Sequence, residues 1–403
     1  MLFPNLMLLC SAVFLNAASA QTQTTSGPLT SYTLTADNIT AVFIPYGARL
    51  THLLVPDRDG VLQDVVAGYD NTSQYPVDTA TNHTYFGPVV GRYANRIKNG
   101  TFTIDGVTSQ IPENENSGHD TLHGGTVGYD ARNWTVTSYT NESVTFTLLD
   151  DGLEGFPGTV LTHATYTVSN TIYGSAWGTV HPRITMKTTS FALDQPTPIM
   201  LANHIYWNLN AWKDETILND TTLWMPYSKR YIGIDNIEVP NGTISTVASH
   251  PVLDFTAPKL VGEDISDAVD YCGNGCVGYD NAFILDRPYG TGLTASNFPV
   301  LSLWSDTTGI RLDVSTDQQG LQIYSCNGQN GTIPVKESQI ARNVNATDGG
   351  AKYVNKYGCL VIETQGWIDA VNNPQWGLTT DYWYYDPSTL PSVMYATYDF
   401  TTF

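Results

Sequence analysis

Short β-prone segments separated by turn residues recur along this chain, and they limit its fold more than any other feature does. Residues 144–149, 165–168 and 184–189 alternate or concentrate β-branched and aromatic side chains. Gly, Asn, Asp and Pro interrupt such segments, as in Lys98-Asn99-Gly100 and Ile104-Asp105-Gly106. No stretch shows the sustained periodicity of an amphipathic helix. The pattern predicts an all-β sandwich or barrel with long loops.

The amino-terminal end indicates a protein that leaves the cell. Residues 2–15 are mostly apolar and are followed by Ala18-Ser19-Ala20, and small residues in this arrangement are typical of a cleaved secretory signal. No later apolar run reaches the length of a membrane span. Residues 30–403 contain no internal repeat, low-complexity tract or linker that would divide them. We therefore predict a signal peptide over residues 1–20, a single domain over residues 21–403, and a secreted, extracellular protein.

Secretion predicts glycosylation and oxidised cysteines, and the sequence offers both. Ten Asn-x-Ser/Thr sequons occur, at Asn38, Asn71, Asn82, Asn99, Asn133, Asn141, Asn219, Asn241, Asn330 and Asn345. Cys10 lies in the signal, and four cysteines remain, at Cys272, Cys276, Cys326 and Cys359. Four cysteines allow three pairings. The short Cys272–Cys276 loop favours a local bridge, which leaves Cys326 with Cys359. A zinc site would need paired short spacings, which this set lacks.

The charge of the chain narrows the choice of partners. The formal net charge is −20, and nucleic acids and anionic membranes attract basic surfaces instead. We expect neither as a partner. The same charge argues, less firmly, against a phosphorylated substrate, because a local arginine pair could override the overall field.

One histidine and one carboxylate stand out as candidates for acid–base chemistry. His204 lies in the run Leu201-Ala202-Asn203-His204-Ile205-Tyr206-Trp207, and Glu363 follows the apolar residues 359–362. Each lies in a β-prone segment that would hold its side chain at a fixed angle. Burial of Glu363 would shift its pKa upward, as suits a base that works near neutrality. A His and a Glu together are the minimum equipment for general acid–base catalysis.

Further polar residues suit the walls of a binding pocket. Arg92 and Arg96 are an even number of residues apart, so on an extended strand they would share a face and Asn95 would point the opposite way. His123 precedes two glycines, which let the backbone approach a ligand closely. A metal pair of His119 with His123 would need a helix, and the surrounding glycines make a helix improbable.

Two more polar side chains accompany β-prone segments. Asp280 comes directly before an apolar strand, and Gln322 lies within one. Asp280 could accept a hydrogen bond from a ligand hydroxyl or tune a nearby histidine, although an Asp beside Gly and Asn often only forms a turn.

Together these motifs resemble the aldose 1-epimerase (galactose mutarotase) family over nearly the whole chain from about residue 29. The matching segments occur in the family's order: Gly91-Arg92-Tyr93-Ala94-Asn95-Arg96-Ile97, Leu122-His123-Gly124-Gly125, Asn203-His204-Ile205-Tyr206-Trp207-Asn208-Leu209, Tyr279-Asp280 and Glu363-Thr364-Gln365. The resemblance implies the large antiparallel β-sandwich of that family. It also implies that Glu363 is the general base, that His204 is the general acid, and that a set of polar residues binds the sugar hydroxyls: Asn95, Arg96, His123, Asp280 and Gln322.

The resemblance implies the interconversion of the α and β anomers of a free aldose such as glucose or galactose. The steps only move protons, so no cofactor or metal is expected, and the expected partner is a monosaccharide or small saccharide bound by a monomer. The chain departs from the family at Ile205 and Trp207, where Thr and Phe are usual, at Asn281, where His often follows the Asp, and at Gln319, where Pro is frequent. Trp207 is large enough to reshape the pocket, which would affect the sugar preference more than the type of reaction.

Three alternatives remain open at this stage. The chain could be a glycoside hydrolase or lyase that uses Asp280 and Glu363 as two carboxylates. It could also be a carbohydrate-binding protein without turnover. The third alternative, a hexose-6-phosphate epimerase, is disfavoured by the acidic charge.

Overall fold

A computed structural model describes residues 27–172, 180–288, 298–346, 349–378 and 383–403. The predicted signal peptide, residues 1–20, lies outside the described residues. The strands, numbered in chain order, are β1 (Tyr32–Ala36), β2 (Ile39–Ile44), β3 (Arg49–Pro56), β4 (Leu62–Asp64), β5 (Val89–Val90), β6 (Arg96–Lys98), β7 (Thr101–Ile104), β8 (Val107–Gln110), β9 (Asp120–Leu122), β10 (Thr135–Tyr139), β11 (Ser143–Asp150), β12 (Val160–Ile172), β13 (Val180–Ala192), β14 (Thr197–Pro198), β15 (Ala202–Asn203), β16 (Tyr206–Trp207), β17 (Thr221–Trp224), β18 (Arg230–Ile234), β19 (Pro240–Thr246), β20 (Lys259–Leu260), β21 (Asp280–Ile284), β22 (Leu301–Ser305), β23 (Ile310–Thr316), β24 (Gly320–Tyr324), β25 (Leu360–Gln365), β26 (Tyr384–Tyr385) and β27 (Ser392–Thr402).

Helices are short in the described ranges. Two α-helices of six residues each occur, α1 (Gln74–Thr79) and α2 (Glu337–Arg342). The remaining helical turns are single 3-10 turns, at Tyr129–Ala131, Val247–Ser249, Pro251–Leu253, Ile265–Asp267, Ala370–Asn372 and Pro374–Trp376. In the described part of the chain, no helix is both long and apolar enough to cross a membrane. The prediction of an all-β fold is confirmed.

The largest sheet has nine antiparallel strands, in the order β10-β11-β12-β13-β27-β23-β22-β17-β20. β12 and β13 pair along thirteen residues each, from Val160 opposite Ala192 to Ile172 opposite Val180. The three segments predicted from β-branched and aromatic residues lie in β11, β12 and β13, so those predictions are confirmed. The predicted turn at Asp105-Gly106 joins β7 to β8, and both of its residues have positive φ angles, of 50° and 79°.

The second large sheet has six strands, in the order β16-β25-β24-β21-β18-β19, and β1 to β4 form a third sheet of four strands. The main hydrophobic core takes side chains from all three sheets. Leu360 and Ile362 of β25 belong to this core, whereas the alternating residues Val361 and Glu363 do not. Since successive side chains of a strand point to opposite faces, the six-stranded sheet has a core face and an outer face. The outer face carries the polar residues of the site.

Strand register brings these polar residues together. Gln322 of β24 pairs with Glu363 of β25 on one side and with Ala282 of β21 on the other. Asp280 pairs with Tyr324, two residues further along the same strands. Residues directly or diagonally opposite on one face are close neighbours. The sheet therefore sets Asp280, Gln322 and Glu363 side by side.

Two disulfides join the cysteines that were expected to pair. Cys272 bonds to Cys276 with a Cα–Cα distance of 5.4 Å, and Cys326 bonds to Cys359 with a distance of 5.5 Å. The second bridge lies in a hydrophobic cluster with Phe86 and Tyr206, next to the site. It ties the loop after β24 to the start of β25.

Candidate active site

A cavity of about 440 Å³ opens over the outer face of the six-stranded sheet. Six of the residues predicted to act on or bind a ligand line it: Asn95, Arg96, His123, His204, Asp280 and Glu363. The seventh, Gln322, does not line the cavity but lies directly beneath it. Its Nε2 donates a hydrogen bond of 2.5 Å to Asp280 Oδ1. The structure therefore gathers all seven predicted site residues in one place.

His204 and Glu363 form the buried centre of the cavity. His204 Nε2 lies 3.6 Å from Glu363 Oε1, and both side chains are buried. His204 follows β15, and its backbone is fixed at both ends, because its N–H donates to Pro88 and its carbonyl accepts from Gly87. Its ring also packs against Tyr206, with the ring centroids 5.2 Å apart. The position of the imidazole relative to the carboxyl group is therefore set by the fold.

Burial moves the pKa values of this pair in opposite directions. It lowers the pKa of His204 to about 3. Burial, aided by the nearby Asp280, raises the pKa of Glu363 to about 8, so the expected upward shift of Glu363 is confirmed. Between these pH values the pair holds a protonated carboxyl group beside a neutral imidazole. This state contains the same number of protons as a carboxylate beside an imidazolium, so one proton transfer converts one form to the other.

His123 is a fixed hydrogen-bond donor next to this pair. Its ring meets that of His204 edge-on, with centroids 5.0 Å apart. The backbone N–H of Asn95 donates to His123 Nδ1 at 3.1 Å, so the proton of the neutral ring is on Nε2. Burial keeps the pKa of His123 well below its usual value. The following Gly124 is required, because a Cβ there would lie 2.2 Å from the carbonyl oxygen of Gly91.

The same hydrogen bond decides whether a metal suits the site. One ligand atom each from His123, His204 and Glu363 lies within 4.8 Å of the others. A metal-bound histidine normally donates its second N–H to an acceptor, but His123 Nδ1 receives a hydrogen bond instead. His123 Nε2 therefore carries a proton and has no lone pair to offer. The cluster fits a ligand oxygen better than a cation.

Arg96 is the cationic side chain of the cavity among the described lining residues, and it is already matched by carboxylates. Its Nε lies 2.7 Å from Glu115 Oε2, its Nη2 contacts Glu238, and Asp120 lies 3.6 Å from Nε. Nη1 has no acceptor in the described part of the chain and can donate to a ligand. Burial raises the pKa of Glu238 to about 8 and that of Asp280 to about 6. Glu238 is therefore mostly protonated near neutral pH, and the positive charge of Arg96 is offset by its ion pair with Glu115.

The expectation that Arg92 and Arg96 share a face is wrong. Asn95 has a φ of 59°, which breaks the extended backbone, and β6 begins only at Arg96. Arg92 points elsewhere and is buried in an ion pair with Asp150, with a shortest distance of 2.6 Å. It is the internal, structural arginine of the motif, whereas Arg96 reaches the cavity.

The expectation that Trp207 reshapes the pocket is also wrong. Ile205 and Trp207 alternate with His204 and Tyr206, so they point to the core face of the sheet. Trp207 is fully buried and stacks on Tyr398 of β27, with centroids 5.2 Å apart. Asn281 likewise lies beneath the sheet, where its Nδ2 donates to the carbonyl of Tyr271 at 2.8 Å. None of Ile205, Trp207, Asn281 and Gln319 lines the cavity.

Several lining residues were not singled out from the sequence. Tyr206 and Tyr324 line the cavity, and each is two residues from a predicted site residue, so strand alternation could have identified both. Tyr85 lies between His83 and His123, with ring centroids 4.1 Å and 4.7 Å away. Glu238 comes from the turn between β18 and β19, and the sequence gives no signal that this turn reaches the cavity.

Comparisons with known proteins identify the family of this chain. The family model described as aldose 1-epimerase matches residues 30–381. A "probable aldose 1-epimerase" of Arthroderma benhamiae is 54% identical over 385 residues, which cover 93% of this chain and 87% of that protein. The galactose mutarotase of Mus musculus is 31% identical over 350 residues, with 87% and 89% of the two chains covered.

Solved structures show the same fold. An aldose epimerase homologue from C. elegans matches with a TM-score of 0.75 and 25% identity, covering 93% of this chain and 99% of that one. The galactose 1-epimerase of Lactobacillus acidophilus matches with a TM-score of 0.67, 21% identity, and coverage of 92% and 93%. Because the family model spans most of the chain and close relatives match along nearly their whole length, this chain belongs to the aldose 1-epimerase family and is an isomerase that interconverts the anomers of aldoses.

Proposed function

We propose that the protein is a secreted aldose 1-epimerase for free hexoses such as glucose and galactose, with Glu363 as the general base and His204 as the general acid. The observation that carries this proposal is the pairing of His204 Nε2 with Glu363 Oε1, 3.6 Å apart and buried. A sugar whose C1 hydroxyl and ring oxygen face these two groups could exchange protons with both. The residues lie beside hydrogen-bonding groups that can hold the remaining hydroxyls.

The proposed reaction opens and recloses the hemiacetal ring. Glu363, as a carboxylate, takes the proton of the C1 hydroxyl while His204, as an imidazolium, protonates the ring oxygen and the ring C–O bond breaks. Rotation about C1–C2 then presents the other face of the aldehyde. Reversal of both proton transfers closes the ring as the other anomer. General acid–base catalysis of this kind contributes about 10²–10⁴-fold in rate.

The proton count of the pair supports these roles. The sugar gives up one proton and receives one, so the pair must contain both a group that can accept a proton and a group that can donate one. When the shared proton is on His204, Glu363 is a carboxylate that can accept a proton and His204 is an imidazolium that can donate one. After donating, His204 is a neutral imidazole, so no imidazolate has to form. The raised pKa of Glu363 and the lowered pKa of His204 favour the other arrangement, with the proton on Glu363. A proton shift within the pair therefore precedes the opening step.

Binding is proposed to use Arg96, His123, Asn95, Asp280 and Gln322. Arg96 Nη1 and His123 Nε2 are donors, and the Asp280 carboxyl accepts from Gln322 and has capacity for a sugar hydroxyl. Because Arg96 is already paired with Glu115 and Glu238, the cavity suits an uncharged sugar better than a sugar phosphate. No cofactor or metal takes part in this proposal.

Secretion, glycosylation and a monomeric state are part of the proposal. All ten sequon asparagines are exposed, as a glycan acceptor must be. Two disulfides suit an oxidising compartment. The net charge of −20 disfavours nucleic acid and anionic membrane as partners. Intact mass spectrometry and light scattering of protein purified from culture medium test these statements.

The decisive test is the decay of optical rotation of freshly dissolved α-glucose and α-galactose. We expect the wild-type protein to accelerate the decay, and His204→Ala and Glu363→Gln each to lose most of the acceleration. Glu337→Gln, at the exposed start of α2, is the matched control and should retain it. A wild-type protein that leaves the rotation unchanged but releases reducing ends from a glycoside would replace this proposal with the hydrolase alternative.

A further inference from the structure

The exposed border of the sugar cavity consists mostly of sequon residues. Four of its described lining residues are exposed, namely Asn82, Gly328, Asn330 and Thr332. Asn82 begins one sequon, and Asn330 and Thr332 are the first and third residues of another. The other lining residues are buried or half-buried. The cavity is therefore edged by two glycan acceptor sites on separate segments, one after α1 and one after β24.

The local structure leaves both acceptor amides available. Asn330 Oδ1 accepts hydrogen bonds from the backbone N–H and the hydroxyl of Thr332, at 3.1 Å and 2.6 Å. Its Nδ2 has no acceptor among the described residues, and neither does that of Asn82. By contrast, Nδ2 of the sequon Asn241 donates to the carbonyl of Ile234 at 3.0 Å. In the fold, a glycan on Nδ2 of either residue at the cavity border therefore displaces no hydrogen bond made by that amide nitrogen.

We propose that Asn82 and Asn330 carry N-linked glycans that narrow the entrance of the cavity, so that free monosaccharides enter and longer saccharides are excluded. This inference rests on the proposed secretion and epimerase activity. In the modification, Asn Nδ2 bonds to C1 of a lipid-linked oligosaccharide, the lipid diphosphate leaves, and the amide loses one proton. The donor is the lipid-diphosphate oligosaccharide of the secretory pathway.

The dimensions of the cavity make such glycans effective. A sphere of about 440 Å³ is roughly 9 Å across, which is the scale of one sugar ring with its hydroxyls. An attached chain of several sugars at either border is longer than the cavity is wide. The reacting groups His204 and Glu363 are buried at the inner end of the cavity, so a monosaccharide that reaches them lies inside the glycan-bearing border. A longer saccharide must instead extend through the entrance, where the glycans are.

The test begins with occupancy. The protein is expressed in a host that attaches N-glycans, and peptide mass spectrometry determines the occupancy of Asn82 and Asn330. We expect glycans at both positions. An unmodified asparagine at either position overturns the proposal for that position. This measurement does not depend on enzymatic activity.

The second part measures selectivity by nuclear magnetic resonance exchange between the anomers of glucose and of maltoheptaose. Asn82→Gln combined with Thr332→Ala removes both sequons. We expect the ratio of kcat/KM for maltoheptaose to kcat/KM for glucose to rise about threefold or more, with the glucose value unchanged. Asn141→Gln, which removes a sequon at the turn between β10 and β11, is the matched control and should leave the ratio unchanged.

Enzymatic trimming of the folded wild-type glycoprotein to single core sugars supplies the same comparison without substitutions. It should raise the ratio as well, even if the double variant folds poorly. A ratio that stays constant after glycan removal overturns the proposed selectivity. Failure to accelerate the exchange of glucose in any form would instead refute the proposed activity, and the proposed selectivity with it.

Discussion

Relative to the wild-type protein, the Glu363→Gln variant should become more stable as the pH rises, and it should lose most of the activity. The pKa of Glu363 is about 8 in the fold against a reference of 4.5. A carboxyl group with a raised pKa contributes stability that is fully present below about pH 4.5 and is lost as the pH rises through 8. Glutamine does not titrate, so the variant lacks this loss.

The magnitude follows from the shift. Each pKa unit corresponds to about 1.4 kcal/mol, so the wild-type protein loses about 3 kcal/mol between pH 4 and pH 7 from this group alone, and nearly 5 kcal/mol by pH 9. Glu363 Oε2 has no hydrogen-bond partner within the described structure, and an amide nitrogen there would also lack one. That cost, about 1–3 kcal/mol, is independent of pH. The informative quantity is therefore the change with pH, not the value at one pH.

Urea unfolding at pH 4, 5.5, 7 and 8.5 measures the free energy of unfolding of both proteins. We expect the variant to gain about 3 kcal/mol relative to wild type between pH 4 and pH 7. Glu337→Gln should follow the wild-type pH dependence, since Glu337 is exposed. Parallel curves for the Glu363→Gln and wild-type proteins would refute the argument that burial keeps this carboxyl group protonated.

The remaining predictions concern the activity and the two faces of the six-stranded sheet that carries the site. The value of kcat/KM should stay level from about pH 4 to pH 7. It should fall above about pH 8, because Glu363 loses its proton, and below about pH 3, because His204 takes up a proton while Glu363 is still protonated. A profile that keeps rising from pH 7 to pH 9 would contradict the argument that the pair shares one proton. Glu238→Gln should raise KM about threefold and leave kcat within about twofold, because Arg96 loses its contact with the Glu238 carboxyl group. Steady-state polarimetry measures both constants, and a large loss of kcat with constant KM would count against this role. Trp207→Phe should lower the free energy of unfolding by about 1–3 kcal/mol through a buried cavity and leave the ratio of kcat/KM for glucose to that for galactose unchanged; a shifted ratio would mean that Trp207 reaches the sugar.

The sequence predicted what depends on local pattern. Alternating β-branched residues identified β11, β12 and β13, and the apolar runs around His204 and Glu363 identified the two residues that the fold brings to 3.6 Å. The predicted cysteine pairs also match the structure. The strands and the Cys272–Cys276 bridge are decided within a few neighbouring residues, and the Cys326–Cys359 pair then follows by elimination.

What the sequence could not predict depends on backbone conformation and distant contacts. The positive φ of Asn95 separates Arg92 from Arg96, and an extended strand was the wrong template for that motif. Glu238 reaches Arg96 across 142 positions of the chain, which no spacing rule anticipates. Trp207 was misplaced for a different reason: its position beside His204 in sequence suggested proximity in space, whereas alternation places it on the opposite face.

Because side chains alternate between the two faces of a strand, substitutions that face the core and substitutions that face the cavity have separate effects. Substitutions at core-facing positions such as Trp207 can be compensated by changes in packing partners such as Tyr398. The reacting groups on the opposite face do not contact these positions. Homologues can therefore diverge inside the sandwich while they keep the same reacting groups. An engineer can likewise repack the interior for heat resistance without redesigning the catalyst.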